Sequence, residues 1–189
     1  MRKGRYNRTE QVCLLCFPLP GGSLSDIPAS GLQTKKGPAG YSRFLRHTPG
    51  LLSNEDCQEY STVYVRQIVE AVQDENFAVI LHNCGNKGQC TQAMIDSGAA
   101  ALHFGNAVNM VETLEQCPSD LIVMGNIDPV GILKQATSEE VYRITADLLS
   151  KTSQYKNFVI SSGCDMPPLV PDANIKAFYQ AIADFNTGK

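Results

Sequence analysis

Phe77-Ala78-Val79-Ile80-Leu81-His82-Asn83-Cys84 decides the fold. Five apolar residues in succession, without polar alternation, are the pattern of a parallel strand covered on both faces. Residues 100–104, 121–124 and 158–160 repeat that pattern downstream. Longer amphipathic stretches lie between these runs. Ser53-Asn54-Glu55-Asp56 reads as a helix cap, followed by Tyr60, Tyr64, Ile68 and Val72 at four-residue spacing, with Val65 and Val69 beside them. Residues 89–97 read as a helix stopped by Gly98, and Val108, Val111 and Leu114 pattern another that ends before Pro118. Asp128-Pro129 offers a cap and first-turn proline for a short helix. Thr137-Ser138-Glu139-Glu140 opens a further helix with Val141, Ile144, Leu148 and Leu149 inward. After Pro171-Asp172, a last helix carries Ile175, Phe178, Ile182 and Phe185.

Short apolar strands alternating with amphipathic helices predict βα units and a parallel α/β sheet. An open doubly wound sheet and a (β/α)8 barrel both satisfy the pattern, and in both the site lies at the carboxyl ends of the strands. No G-x-G-x-x-G or P-loop follows any strand, which weakens a nucleotide-binding reading.

Polar residues collect at those strand ends. His82 and Cys84 follow the first run, His103 and Asn106 the second, Asn126 and Asp128 the third, Cys164 and Asp165 the fourth. One imidazole and two sulfurs suit zinc, and three protein ligands would leave a coordination position open, as in catalytic sites. On spacing alone, a buried core histidine and two buried thiols account for the same residues. The metal reading requires convergence; ligand groups more than about 8 Å apart would defeat it. Cys57, Cys90 and Cys117 read as packing residues on helices.

Bulk properties narrow the function. The 189 residues carry 16 Lys/Arg and 19 Asp/Glu, a net charge of −3 that argues against nucleic acid as the main partner. No apolar run approaches the ~20 residues of a membrane span. Seven cysteines without disulfide-scaffold spacing suit a reducing, cytoplasmic setting. Val12 to Leu19 contains Cys and Pro and lacks a small-residue cleavage site, so no signal peptide is read.

The charge is uneven. Residues 1–50 hold eight Lys/Arg against two Asp/Glu and half of the prolines; the remainder is acidic. Residues 1–49 are therefore expected to be an irregular, basic Pro/Gly-rich segment, and 50–189 the α/β domain. The Cys13-Leu14-Leu15-Cys16 spacing has no second pair and no following βαβ pattern, which argues against a metal or redox role.

From Gly50 to Phe185 the chain resembles the C-terminal half of the uroporphyrinogen decarboxylase superfamily of (β/α)8 barrels. The resemblance is carried by Gly50-Leu51-Leu52-Ser53, His82-Asn83-Cys84-Gly85, Gly125-Asn126-Ile127-Asp128-Pro129, Ser162-Gly163-Cys164-Asp165-Met166-Pro167-Pro168 and Pro171-Asp172-Ala173-Asn174-Ile175. The His-x-Cys pair with a late Gly-Cys is similar to the corrinoid-dependent methyltransferase branch. That likeness implies zinc on His82, Cys84 and Cys164, with His103 as a fourth ligand or supporting group. It also implies methylcobalamin on a partner corrinoid protein and a small-molecule thiol as acceptor. Asp128 and Asn126 become candidate catalytic residues, with helix capping and loop hydrogen bonding as their plainer roles.

The decarboxylases of tetrapyrrole (porphyrin) biosynthesis, the alternative within the superfamily, lack this His-x-Cys pair and have a histidine near the position of Cys164. Their substrate-holding arginines and aspartate find no match here. A third alternative is a non-catalytic binding module or inert fragment. A complete barrel needs ~250 residues, so this chain is expected to hold an incomplete one, as a half-barrel domain or a truncated reading of a longer gene. An incomplete barrel has open strand edges, from which self-association is expected.

Overall fold

The computed structural model describes residues 41–47, 52–74, 77–85 and 87–188. Most of the basic Pro/Gly-rich segment, with the Cys13 and Cys16 pair, lies outside the described residues, as do Gly50 and Leu51. Five strands alternate with helices: β1 (Tyr41–His47), α1 (Asn54–Cys57), a π-helical turn (Gln58–Thr62), α2 (Val63–Val72), β2 (Phe77–Asn83), α3 (Thr91–Ile95), β3 (Ala101–Phe104), α4 (Met110–Gln116), β4 (Ile122–Ile127), α5 (Ser138–Lys151), β5 (Phe158–Ser162) and α6 (Asp172–Thr187). All strand pairs are parallel, in the spatial order β1-β2-β3-β4-β5. Each strand lies beside its sequence neighbour, without the reversal of a doubly wound sheet, so the arrangement is a barrel arc.

The register sorts side chains between two faces. Val79, Leu81, Leu102, Phe104, Val123, Ile127, Phe158 and Ile160 pack under the helices in the main core. Fully burying a side chain such as Leu102 or Phe104 contributes about 1.5–3 kcal/mol. On the opposite face Ile80, Ala101 and Met124 form a smaller buried cluster with Ile122 and Val159. His82 pairs in register with His103, and His103 with Met124, which puts both histidines on this second face. Continuous apolar runs are needed because both faces are covered.

Three differences from the sequence reading have physical causes. Tyr41–His47, expected to be irregular, is a strand paired residue for residue with β2. Its sequence, with Arg43 and Arg46 among the apolar residues, shows no clean period, and pairing with a formed neighbour imposes the extended state. On the helix before β2, the buried stripe is Cys57, Ser61, Thr62, Val65 and Val69, while Tyr60 and Tyr64 are exposed. The Thr62 hydroxyl donates to the Ala93 and Cys57 carbonyls, so small hydrogen-bonded side chains take the place expected of aromatics. After β4, residues 129–136 form turns rather than a helix, held by the Ile132 and Leu133 amides donating to the Asp128 carbonyl.

Elsewhere the signals hold. The Thr137 hydroxyl accepts from the Glu140 amide and the Glu140 carboxylate accepts from the Thr137 amide, a complete capping box for α5. Asn174, buried at the start of α6, donates to the Leu133 and Ala136 carbonyls and pins the β4–α5 connection. Gly125 has φ 138°, and a Cβ there would lie 2.7 Å from the Phe104 carbonyl oxygen, so the strand position accepts only glycine.

Among the described residues, β1 and β5 are each paired on one side only. Self-association is the expected result for the purified chain. Light scattering checks it, and a monodisperse monomer across a hundredfold concentration range would contradict it.

Candidate metal centre

His82 is the penultimate residue of β2, Cys84 follows the strand directly, and Cys164 lies two residues beyond β5. Their ligand atoms all lie within 4.8 Å of one another, and the two sulfurs are 3.6 Å apart. In a flat sheet β2 and β5 would stand three strand spacings apart, about 14 Å. Only curvature of the arc brings the two tips together.

The connection after β3 fills the gap between them. The Gly105 amide donates to the Asn83 carbonyl, and the Gly163 amide to the Ile127 carbonyl. A Cβ on Gly163 would lie 2.6 Å from the Asn106 amide nitrogen, so the Cys164 segment rests directly on the β3 connection. Asn126 braces that connection by donating from Nδ2 to the Gly105 and Val108 carbonyls.

His82 is 3% exposed and its Nδ1 lies 3.2 Å from the His103 carbonyl oxygen. A carbonyl only accepts, so Nδ1 carries a proton, and in the neutral ring Nε2 carries the lone pair. That is the tautomer-fixing contact that metal-bound histidines receive from their surroundings. The two cysteines are half-buried. Zinc–sulfur bonds of ~2.3 Å at a tetrahedral angle put two thiolates about 3.8 Å apart, close to the separation seen here. Donor chemistry, tautomer and sulfur spacing therefore all fit zinc.

His103 does not join the trio. Its Nε2 lies 2.7 Å from the Ser162 carbonyl and 3.1 Å from the Ser161 hydroxyl, while its ring centroid is 4.6 Å from that of His82. It supports His82 through its backbone carbonyl. Burial pushes its pKa below the ordinary value, partly opposed by the Ser162 carbonyl. The native state thus holds His103 neutral, whereas the unfolded chain protonates it near pH 6.5. This contribution to stability is fully present above about pH 6.5 and is lost as pH falls toward the lower native value. We expect urea midpoints to drop between pH 8 and pH 5 and His103→Gln to flatten that dependence. An unchanged slope would rule this assignment out.

Asp128 accepts from the Val130 and Gly131 amides through Oδ1, closing the turn after β4 rather than capping the helix expected there. Together with Asn106, Asn109, Asn126, Asp147 and Lys151 it lines a cleft of about 320 Å³ that His82, Cys84 and Cys164 do not line. Asn126 and Asp128 are thus brought to one cleft and the metal-type trio to another place on the rim. The sequence reading missed the bracing by Gly105 and Asn106 and the contact between Cys57 and Cys90, neither of which has a local signal. No helix among the described residues is long and apolar enough to cross a membrane.

Comparison with known proteins shows the family and the fold. Residues 32–185 match the sequence model of the family described as uroporphyrinogen decarboxylase (URO-D), starting ahead of the expected domain boundary near residue 50. The chain is 26% identical over 135 residues to the methylcobamide:CoM methyltransferase MtbA of Methanosarcina acetivorans, covering 71% of this chain and 38% of that protein. It is 30% identical over 139 residues to the uroporphyrinogen decarboxylase of Christiangramia forsetii, covering 72% and 38%. A solved structure, a methyltransferase from Methanosarcina mazei, superposes with a TM-score of 0.64 at 19% identity, covering 76% of this chain and 42% of that one. At that identity the likeness establishes the fold, the C-terminal part of a (β/α)8-type barrel. The chain spans about two fifths of the length of the curated relatives it matches.

Proposed function

The chain belongs to the uroporphyrinogen decarboxylase family, and from that premise we propose that it is part of a zinc-dependent methyltransferase. The reaction moves a methyl group from a methylcobalamin-bearing corrinoid protein to a small-molecule thiol, and its setting is the reducing cytoplasm. One observation carries the reading: a ring nitrogen of His82, Cys84 Sγ and Cys164 Sγ converge at the carboxyl rim of the arc. Relatives printed as methylcobamide:CoM methyltransferases support it.

Bound at this trio, zinc would hold an acceptor thiol as its thiolate at neutral pH. The chain's own residues prepare the place. The His103 carbonyl orients the His82 ring, and the backbone of residues 105 and 106 separates and aligns the two cysteine segments. Asn126 holds that backbone in position. Asp128 is proposed to face substrate in the neighbouring cleft that it lines with Asn126, with its Oδ1 held by the Val130 and Gly131 amides.

The second reading, decarboxylation of a tetrapyrrole, is favoured by relatives of that name at up to 30% identity. It needs no metal. The two separate on purified protein: methyl transfer predicts bound zinc and demethylation of methylcobalamin by a thiol such as coenzyme M, which is the acceptor in the names of the methyltransferase relatives. A metal-free chain that leaves methylcobalamin intact would overturn the proposal.

A further inference from the structure

A second sulfur pair lies outside the trio. Cys57 closes α1 and Cys90 stands at the N-cap of α3. Their sulfurs are 2.8 Å apart, and the residues are 2% and 0% exposed. With Ala93 and Leu52 they form a small apolar cluster separate from the main core. Burial first, and Cys90 second, push the Cys57 thiol up to about 12. A plain packing role does not require two polarisable thiols to face each other at this distance. An S–S bond is about 2.05 Å, so the sulfurs need to approach by less than an ångström.

We propose that Cys57 and Cys90 are a redox-convertible pair that closes to a disulfide by exchange with a small-molecule disulfide such as oxidised glutathione. One thiol, deprotonated, attacks a glutathione sulfur, forming a mixed disulfide and releasing one reduced glutathione. The second thiol then loses its proton and displaces the other glutathione, leaving the Cys57–Cys90 bond. Two protein thiols are oxidised and one disulfide is reduced to two thiols. Access comes through local opening of the first turn of the continuous helix that runs from Asn54 through the π-helical turn to Val72. The closed pair ties that turn to the start of α3 and encloses the chain segment containing β2, His82 and Cys84. This inference does not rest on the metal reading, because neither sulfur belongs to the trio.

The test exposes the full chain to excess oxidised glutathione, alkylates in denaturant and maps peptides without reduction. The expected product links Cys57 to Cys90 and raises Tm by roughly 5–10 °C, as closing a loop of this size should; dithiothreitol reverses both effects. Cys57→Ser and Cys90→Ser each lose the link and the shift. Recovery of both residues as alkylated thiols, retention of glutathione on either, or a cross-link joining Cys84 to Cys164 instead would overturn the proposal. The wild-type map decides the matter even where a serine variant folds poorly.

Discussion

Cys164→Ala should reduce zinc from about one ion per chain to a trace while leaving the far-UV spectrum intact. Loss of a supporting contact around a metal commonly weakens binding by about 10–100-fold, and loss of a direct ligand should exceed that. Cys164 is half-buried on the connection after β5, outside any strand or helix, so its removal opens no large cavity in the core. Cys84→Ala should behave alike. His82→Ala should lose zinc and also destabilise the fold, because it empties a position 3% exposed and removes the contact to the His103 carbonyl. Cys117→Ala, at the end of α4 and outside the trio, is the control and should keep its zinc. Equal zinc in all four variants, measured by elemental analysis after gel filtration, would remove the basis for the methyl-transfer reading.

Gly163→Ala has the second largest expected effect and separates position from ligand identity. The new methyl would sit 2.6 Å from the Asn106 amide nitrogen and 3.1 Å from its Cα, both backbone atoms that cannot swing aside. Overpacking of this kind costs typically about 1–3 kcal/mol. The strain can be relieved only by moving the Cys164 segment away from the β3 connection, and that movement pulls Cys164 from Cys84. Zinc affinity should therefore fall by at least tenfold although all three ligands remain. Urea unfolding and a competitive zinc titration read the two effects. A normal affinity together with reduced stability would mean that the segment flexes without disturbing the trio.

The four strands read from apolar runs all appear, three of them within two residues of their expected ends and β4 running three residues further to Ile127, because continuous burial on both faces leaves an unbroken local signature. The capping box at Thr137 and Glu140 was equally plain, since its partners lie three residues apart. β1 was not, because a strand whose state depends on its neighbour need not show a period of its own. The tyrosines at 60 and 64 misled for a related reason. Hydrophobicity ranked them above Ser61 and Thr62, but the Thr62 hydroxyl has an acceptor on Ala93 and so sits inside without cost.

Sequence alone determined which residues end the strands and what chemistry they offer: an imidazole and a thiol at the carboxyl tip of one strand and a thiol beyond the tip of another. The tertiary structure decided that these groups meet. Between Cys84 and Cys164 lie two whole strands, and no periodicity in a chain encodes the curvature that brings sulfurs 80 residues apart to 3.6 Å. The same holds for Cys57 and Cys90, which read separately as packing residues and are paired only by the approach of α1 to α3. Local pattern sets the direction of each side chain; the distance between side chains on different strands is a property of the packed whole.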